Sequence, residues 1–129
     1  MRDSKRRLIH KVFQIAKATN RFVHMSESNF KEFYKSCQMD DFNGAEYCKK
    51  LVIHDYDEAC NAHALHLEYA ACYGGYRLDY YCNGGGGMSH FMSSSRTSAE
   101  SLSDILEAFI LGYQRATEHH EENKTLEAV

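Results

Sequence analysis

The sequence predicts an α+β domain, mostly helical, with one β-hairpin over about residues 76–92 packed on the helices. Three observations lead there. Apolar residues recur at three- and four-residue spacing in several segments, the mark of amphipathic helices. Between Tyr76 and Met92 the period falls to two, as in half-buried strands. A two-stranded hairpin is not stable alone, so its apolar side must rest on the helices. At 129 residues, 43% hydrophobic and 26% charged, the chain has the size and composition of one globular domain. Residues 1–118 are assigned to that domain, and the polar segment 119–129 is expected to fray.

Ser4 is placed to cap a first helix reaching about Asn20, with Leu8, Val12 and Ile15 beside Ile9, Phe13 and Ala16 on its apolar stripe. Ser26 or Ser28 caps a second helix ending near Cys37, with Phe30, Phe33, Tyr34 and Cys37 on one face. MDDFNGA (39–45) reads as a turn. AEYCKKLVIHDY (45–56) fits a helix through Tyr47, Cys48, Leu51 and Val52 and a strand through LVI; helix is the reading adopted. Asp55 and Glu58 have capping-box spacing. DEACNAHALHLEYAACY (57–73) meets no breaker before Gly74, so it is expected to be the central, most buried helix.

Tyr76, Leu78, Tyr80 and Cys82 then alternate with Arg77, Asp79 and Tyr81. After NGGGG, Met88, His90 and Met92 alternate with Ser89, Phe91 and Ser93. Asn83 to Gly87 supply the positive φ angles of a turn between antiparallel strands. Thr97 and Glu100 bracket a capping box, and Leu102, Ile105, Leu106, Phe109, Ile110 and Tyr113 stripe the last helix.

The net charge of −3 is uneven: residues 1–21 carry seven Lys/Arg and one Asp, residues 98–129 seven acids and two bases. Two solvated helix faces, or faces meeting across a homodimer, account for this. No run approaches the roughly 18 apolar residues of a membrane span, so a soluble, cytoplasmic protein is expected. Five cysteines without a CxxC pair suggest neither a disulfide framework nor a zinc ribbon.

Candidate chemistry is sparse, and no cofactor is read from the sequence. NGGGG is followed by a strand and lacks Gly-Lys-Ser/Thr, so it is not a phosphate loop. Cys60 and His63 share a helical face and offer two metal ligands, although buried core residues explain them as well. Arg2, Lys5, Arg6, Arg7 and Lys11 offer a basic arm, but a short basic helix without interleaved aromatics is thin support for nucleic-acid binding, which is not expected. Arg77 and Asp79 project to one strand face, where a salt bridge is the default.

Residues 58–116 resemble the ArdB/KlcA antirestriction family of plasmids, phages and genomic islands. The corresponding pieces are HLEYAACYGGYRLDYY (66–81), NGGGGM (83–88) and SAESLSDILEAFILGYQRA (98–116). They match a helix ending in an aromatic segment, a glycine-aromatic strand, a strand opening on paired glycines, and a helix starting Ser-Ala-acid. The resemblance implies a small counter-defence protein that blunts host restriction without being a nuclease. The leading expectation is therefore a non-enzymatic interaction protein that binds a host protein. Its contact surface would comprise Tyr76, Arg77, Asp79, Tyr81 and the loop Asn83, Gly84, Gly85, Gly86 and Gly87, because tyrosine offers area at low entropy cost. The alternatives are a metal- or small-ligand-binding domain using Cys60, His63 and the hairpin, and a weak nucleic-acid binder using the basic arm.

Overall fold

The first apolar stripe forms helix α1, Asp3–Thr19, whose inner face buries Leu8, Ile9, Val12, Phe13, Ile15 and Ala16. Ser4 falls inside the first turn, and the N-cap position is Arg2. Asn20 closes the helix in the left-handed region at φ 58°, a role its short polar side chain tolerates. The computed structural model describes residues 1–39, 45–82, 87–91 and 95–127.

Strand β1 (Val23–His24) leads into α2 (Glu27–Met39), where the Ser26 hydroxyl accepts from the Asn29 amide at 3.2 Å. The segment 45–56 divides. A 3-10 turn and helix α3 (Cys48–Leu51) carry its first half, and strand β2 (Val52–Ile53) follows. The helical reading is thus right to Leu51 and wrong for Val52 and Ile53. Of the MDDFNGA turn, residues 40–44 lie outside the described residues.

The largest correction concerns residues 57–73. Instead of one long helix there is a short one, α4 (Tyr56–Asn61), then strand β3 (Leu65–Ala70) and a 3-10 turn. Asp55 caps α4 as expected, accepting from the Glu58 amide at 2.9 Å. The break lies at His63, in the left-handed region at φ 54°. The His63 amide donates to the Cys60 carbonyl and the Ala64 amide to the Ala59 carbonyl, the paired bonds of a Schellman stop. Histidine here does what glycine usually does. Gly74, at φ 99°, closes the 3-10 turn that follows β3.

The hairpin is present as β4 (Gly75–Tyr81) and β5 (Met88–His90), an antiparallel pair. It belongs to a five-stranded sheet of order β2-β1-β3-β4-β5. β1 runs parallel to both β2 and β3, while β3, β4 and β5 are antiparallel neighbours. Thr97 bridges to Tyr76 and is not the cap expected; Ser98 takes that role, accepting from the Ser101 amide at 3.2 Å. Helix α5 then runs Ala99–Glu127. Leu102, Leu106 and Ile110 are buried, but Ile105 and Tyr113 of the same stripe are turned to the surface.

One face of the sheet packs Val23, Leu65 and Leu78 on α1, α2 and α5, against Leu8, Phe13, Phe33 and Leu106. Each such side chain contributes about 1.5–3 kcal/mol by leaving water. Ile53, Ala59, Cys60, Ala64 and Tyr81 form a separate apolar cluster under α4, on the opposite face. The connection from β1 to β2 therefore crosses on the α2 side, and the one from β2 to β3 crosses on the α4 side. In sheets with parallel strands, ligand crevices open where successive connections change sides. Here that place lies between β1 and β3. Among the described residues no helix is long and apolar enough to cross a membrane.

Candidate functional site

Side chains alternate along a strand, so the register fixes what the α4-side face carries. His66 lies opposite Asp79 and Glu68 opposite Arg77, His90 lies opposite Asp79, and His24 lies opposite Ile53. This face is polar, titratable and largely covered. It divides into an ionic half and a histidine-tyrosine half.

Asp79 is the hub of the ionic half, with no exposed surface. Arg77 Nε donates to both its oxygens, at 3.0 and 3.2 Å, and His90 Nδ1 lies 2.9 Å from Oδ1. Glu68 accepts from Arg77 Nη2 at 3.3 Å and from Arg96 Nη2 at 2.8 Å. The Arg96 hydrogen bond, more than any other influence, holds the Glu68 carboxyl below the usual carboxylate range. Two arginines thus balance two carboxylates. The buried Asp79 is fully hydrogen-bonded and its charge balanced, while Arg96 Nη1 is buried without a hydrogen-bond partner in the protein; this half reads as a structural clamp across β3, β4 and β5.

The other half is unlike it. Tyr81 Oη lies 2.7 Å from His24 Nδ1. The His24 and His66 rings stand 5.5 Å apart, and Tyr56 packs edge-on against Tyr81 at 5.6 Å. Burial, chiefly, raises the Tyr81 phenol to about 12. It therefore keeps its proton and donates to His24, leaving the His24 proton on Nε2. Burial also lowers His24, with a smaller contribution from His66 beside it. His66 is lowered by burial, against the opposing charges of Glu68 and Asp79. Both rings are neutral near pH 7, each with one donor and one acceptor nitrogen. His66 Nδ1 is buried without a hydrogen-bond partner in the protein, an orphan that calls for an explanation.

Beside these rings β1 leaves β3 after the single pairing of Val23 with Leu65. The gap is a cleft of ≈ 390 Å³. Its walls are His24 of β1, Met25 after it, His54 after β2, and His66, Leu67 and Tyr69 of β3, with Ile9 and Val12 of α1 as an apolar floor. His54 Nδ1 is held 2.7 Å from the Met25 carbonyl. Lys5 and Glu32 are the lysine and the acid of the lining.

The residues singled out in the sequence fare unevenly. Arg77 and Asp79 do share a face and pair, but Asp79 has no exposed surface and Tyr81 only 2%, so neither belongs to a surface a partner would touch. Tyr76 and Arg77 are half-buried and Gly87 is exposed. Asn83, Gly84, Gly85 and Gly86 lie outside the described residues. Cys60 is buried under α4, while His63 is exposed, its Nδ1 3.1 Å from the Tyr81 carbonyl. Among the described residues no three His, Cys, Asp or Glu side chains are grouped to share a metal ion. The basic arm is thinned as well. Arg6 turns inward to Asp3 and Ser36 and Lys11 pairs with Glu107, leaving Arg2, Lys5 and Arg7 exposed.

Tyr81 is singled out in the sequence, though for an exposed surface; His24, His54 and Tyr56 carry no periodic signal, and His66 is reachable only through the strand reading of LHLEYA. Leu65, Leu67 and Tyr69 alternate there with His66 and Glu68, and that signal was overridden by the alanine-rich composition around it. Set against known proteins, the chain matches no protein-family model, no curated protein and no solved structure. Residues 66–70, which the antirestriction resemblance takes as the end of a helix, are strand β3.

Proposed function

We propose that this chain is a small-ligand-binding domain whose ligand, a small molecule with an apolar body and an anionic group, enters the cleft between β1 and β3. The observation that carries this reading is the orphaned Nδ1 of His66, which lines that cleft with His24 and His54. Its volume falls in the range of about 300–1,000 Å³ usual for such sites. Ile9, Val12 and Leu67 suit an apolar body, and Lys5 with the imidazole N–H groups suits an anion. Cys60 and His63, the ligands first considered for a binding role, give way to His24, His54 and His66.

Anilinonaphthalenesulfonate, an aromatic sulfonate, is a suitable probe. It should fluoresce with the folded protein at about one equivalent per chain. Asn29→Trp, on the exposed start of α2 at the cleft mouth, should abolish that signal with an unchanged melting temperature. Dye binding untouched by Asn29→Trp would overturn the assignment of the site.

A second reading, an interaction protein that binds a host protein, draws on Tyr69 and Tyr73 at the β3–β4 turn, 59% and 74% exposed. It moves the contact surface off Asp79 and Tyr81 and keeps Tyr76 at its edge. If the partner is a restriction component, as the resemblance implies, Tyr73→Ala should abolish restriction alleviation without lowering the melting temperature. Full alleviation by Tyr73→Ala and Tyr69→Ala together would remove this surface from consideration.

A further inference from the structure

A second depression of ≈ 520 Å³ adjoins the cleft, lined among others by Arg2, Ser4, Gly74, Gly75 and Ser98. Lys5, Tyr69 and Tyr76 line both. The two rings lie 4.7 Å apart and stand between the cleft and the depression, with Tyr69 mostly exposed. Arg2 and Lys5 are exposed, and the acid nearest in sequence, Asp3, is taken by Arg6 at 2.8 Å. We infer that the ligand is a nucleotide, its base lying in the cleft against the tyrosine pair and its phosphate in the depression on Arg2 and Lys5. This deepens the proposed function and rests on the cleft being a ligand site.

Two features meet two parts of such a ligand, the base and the phosphate. A flat heteroaromatic base stacks on tyrosine in a manner tolerant of base identity. A phosphate is recognised by charge-assisted bonds from arginine and lysine. Gly74 and Gly75 leave the backbone bare on that side. At Gly75 a Cβ would stand 2.5 Å from the Thr97 carbonyl oxygen, so no side chain can intrude there. The same base-phosphate unit occurs in a free nucleotide and at the end of a single strand.

Displacement of anilinonaphthalenesulfonate from the full chain tests this. The competitors are nucleoside monophosphates, their nucleosides, inorganic phosphate, and a 5′-phosphorylated oligothymidylate. A monophosphate should displace the dye about tenfold or more tightly than its nucleoside, the increment expected of one or two charge-assisted bonds. Arg2→Ala, which lies outside the cleft lining, should lower nucleotide affinity to the nucleoside level and leave dye binding unchanged. Tyr69→Ala should weaken nucleotide and nucleoside alike about tenfold, and Tyr69→Phe should restore both. Dye binding that no nucleotide displaces would overturn the nucleotide assignment and leave the cleft standing as a site for other anions. Absence of dye binding would overturn both readings. Equal affinity for nucleotide and nucleoside would also overturn it, by removing the phosphate from Arg2. Tighter displacement by the oligothymidylate than by thymidine monophosphate would identify the ligand as a strand end, and the reverse order a free nucleotide.

Discussion

Leu78 and Asp79 are neighbours in β4, and both are almost wholly withdrawn from solvent, at 1% and 0% exposure. Leu78 faces α1 and α5 and packs among Leu8, Phe13 and Leu106. Asp79 faces the other way and is held by Arg77 and His90. Equal burial thus rests on different physics on the two sides of one sheet. The apolar side needs only volume and shape, and volume-conserving swaps are tolerated there. The polar side needs each partner in place, because an unpartnered buried charge costs far more than a lost contact.

Truncation at the two positions should accordingly give the largest effects. Leu78→Ala should cost about 3 kcal/mol in urea unfolding, within the range for buried leucine. Asp79→Ala should cost about as much, because it takes the buried carboxylate from Arg77 Nε and His90 Nδ1 and leaves Arg77 only its longer bond to Glu68. The double variant Arg77→Met/Asp79→Leu separates the two cases. Replacing a buried pair with apolar residues of similar volume is often neutral or stabilising, so it should recover most of what Asp79→Ala loses. No such rescue exists for Leu78→Ala short of restoring volume. A double variant as unstable as Asp79→Ala would mean that the polar face needs its charges for folding.

Titration sharpens the same contrast. Burial is the first cause that lowers His24 and His66 from 6.5, so the unfolded chain takes up their protons at higher pH than the folded one. Linkage then makes stability rise with pH. The contribution is fully present above pH 6.5 and is lost progressively as the pH falls from there toward the folded values. Glu68, lowered from 4.5 mainly by its Arg96 hydrogen bond, adds a second loss as pH falls below 4.5. His10, on the helical side, is lowered too, by burial first and Lys11 second. His24→Gln/His66→Gln should therefore flatten most of the dependence of melting temperature on pH just below 6.5, and His10→Gln the remainder. A slope unchanged in the His24/His66 variant would place the titrating groups elsewhere.

The helical side was legible in the sequence because a 3.6-residue period over many residues has few competing explanations. Helices α1, α2 and α5 follow from their stripes, and β4 and β5 from a clean change of period. What escaped was the segment holding half of the site. Residues 57–73 contain no proline and no glycine, and the turn that ends α4 is made by His63 in a conformation seldom adopted by residues other than glycine. Composition gave no warning of it. β1 and β2 are two residues each, too short for any periodicity, and they exist because β3 offers an edge. The Arg77–Asp79 pairing was readable from their spacing. The burial of Tyr81 was not, because it depends on α4 covering a face that a long helix over residues 57–73 leaves open, and that of Asp79 was not, because it depends on His90 arriving from β5.

The smallest effect belongs to a single atom. Tyr81→Phe keeps the ring that packs on Ile53, Cys60 and Ala64 and removes only the hydroxyl that reaches His24 at 2.7 Å. A typical hydrogen bond contributes about 1 kcal/mol net, and the cost grows when the partner is left buried and unsatisfied. His24 is half-buried, so water can replace part of what is lost and about 1 kcal/mol is expected. The ligand measurement tells more. Without the phenol opposite Nδ1, the His24 ring loses the partner that fixes its tautomer beside the cleft. Dye or nucleotide affinity should then fall by a few-fold, while Leu67→Met, on the apolar side of β3, should leave it within about twofold. Affinity unchanged in Tyr81→Phe would make the His24–Tyr81 bond part of the scaffold and leave ligand recognition to His66 and His54.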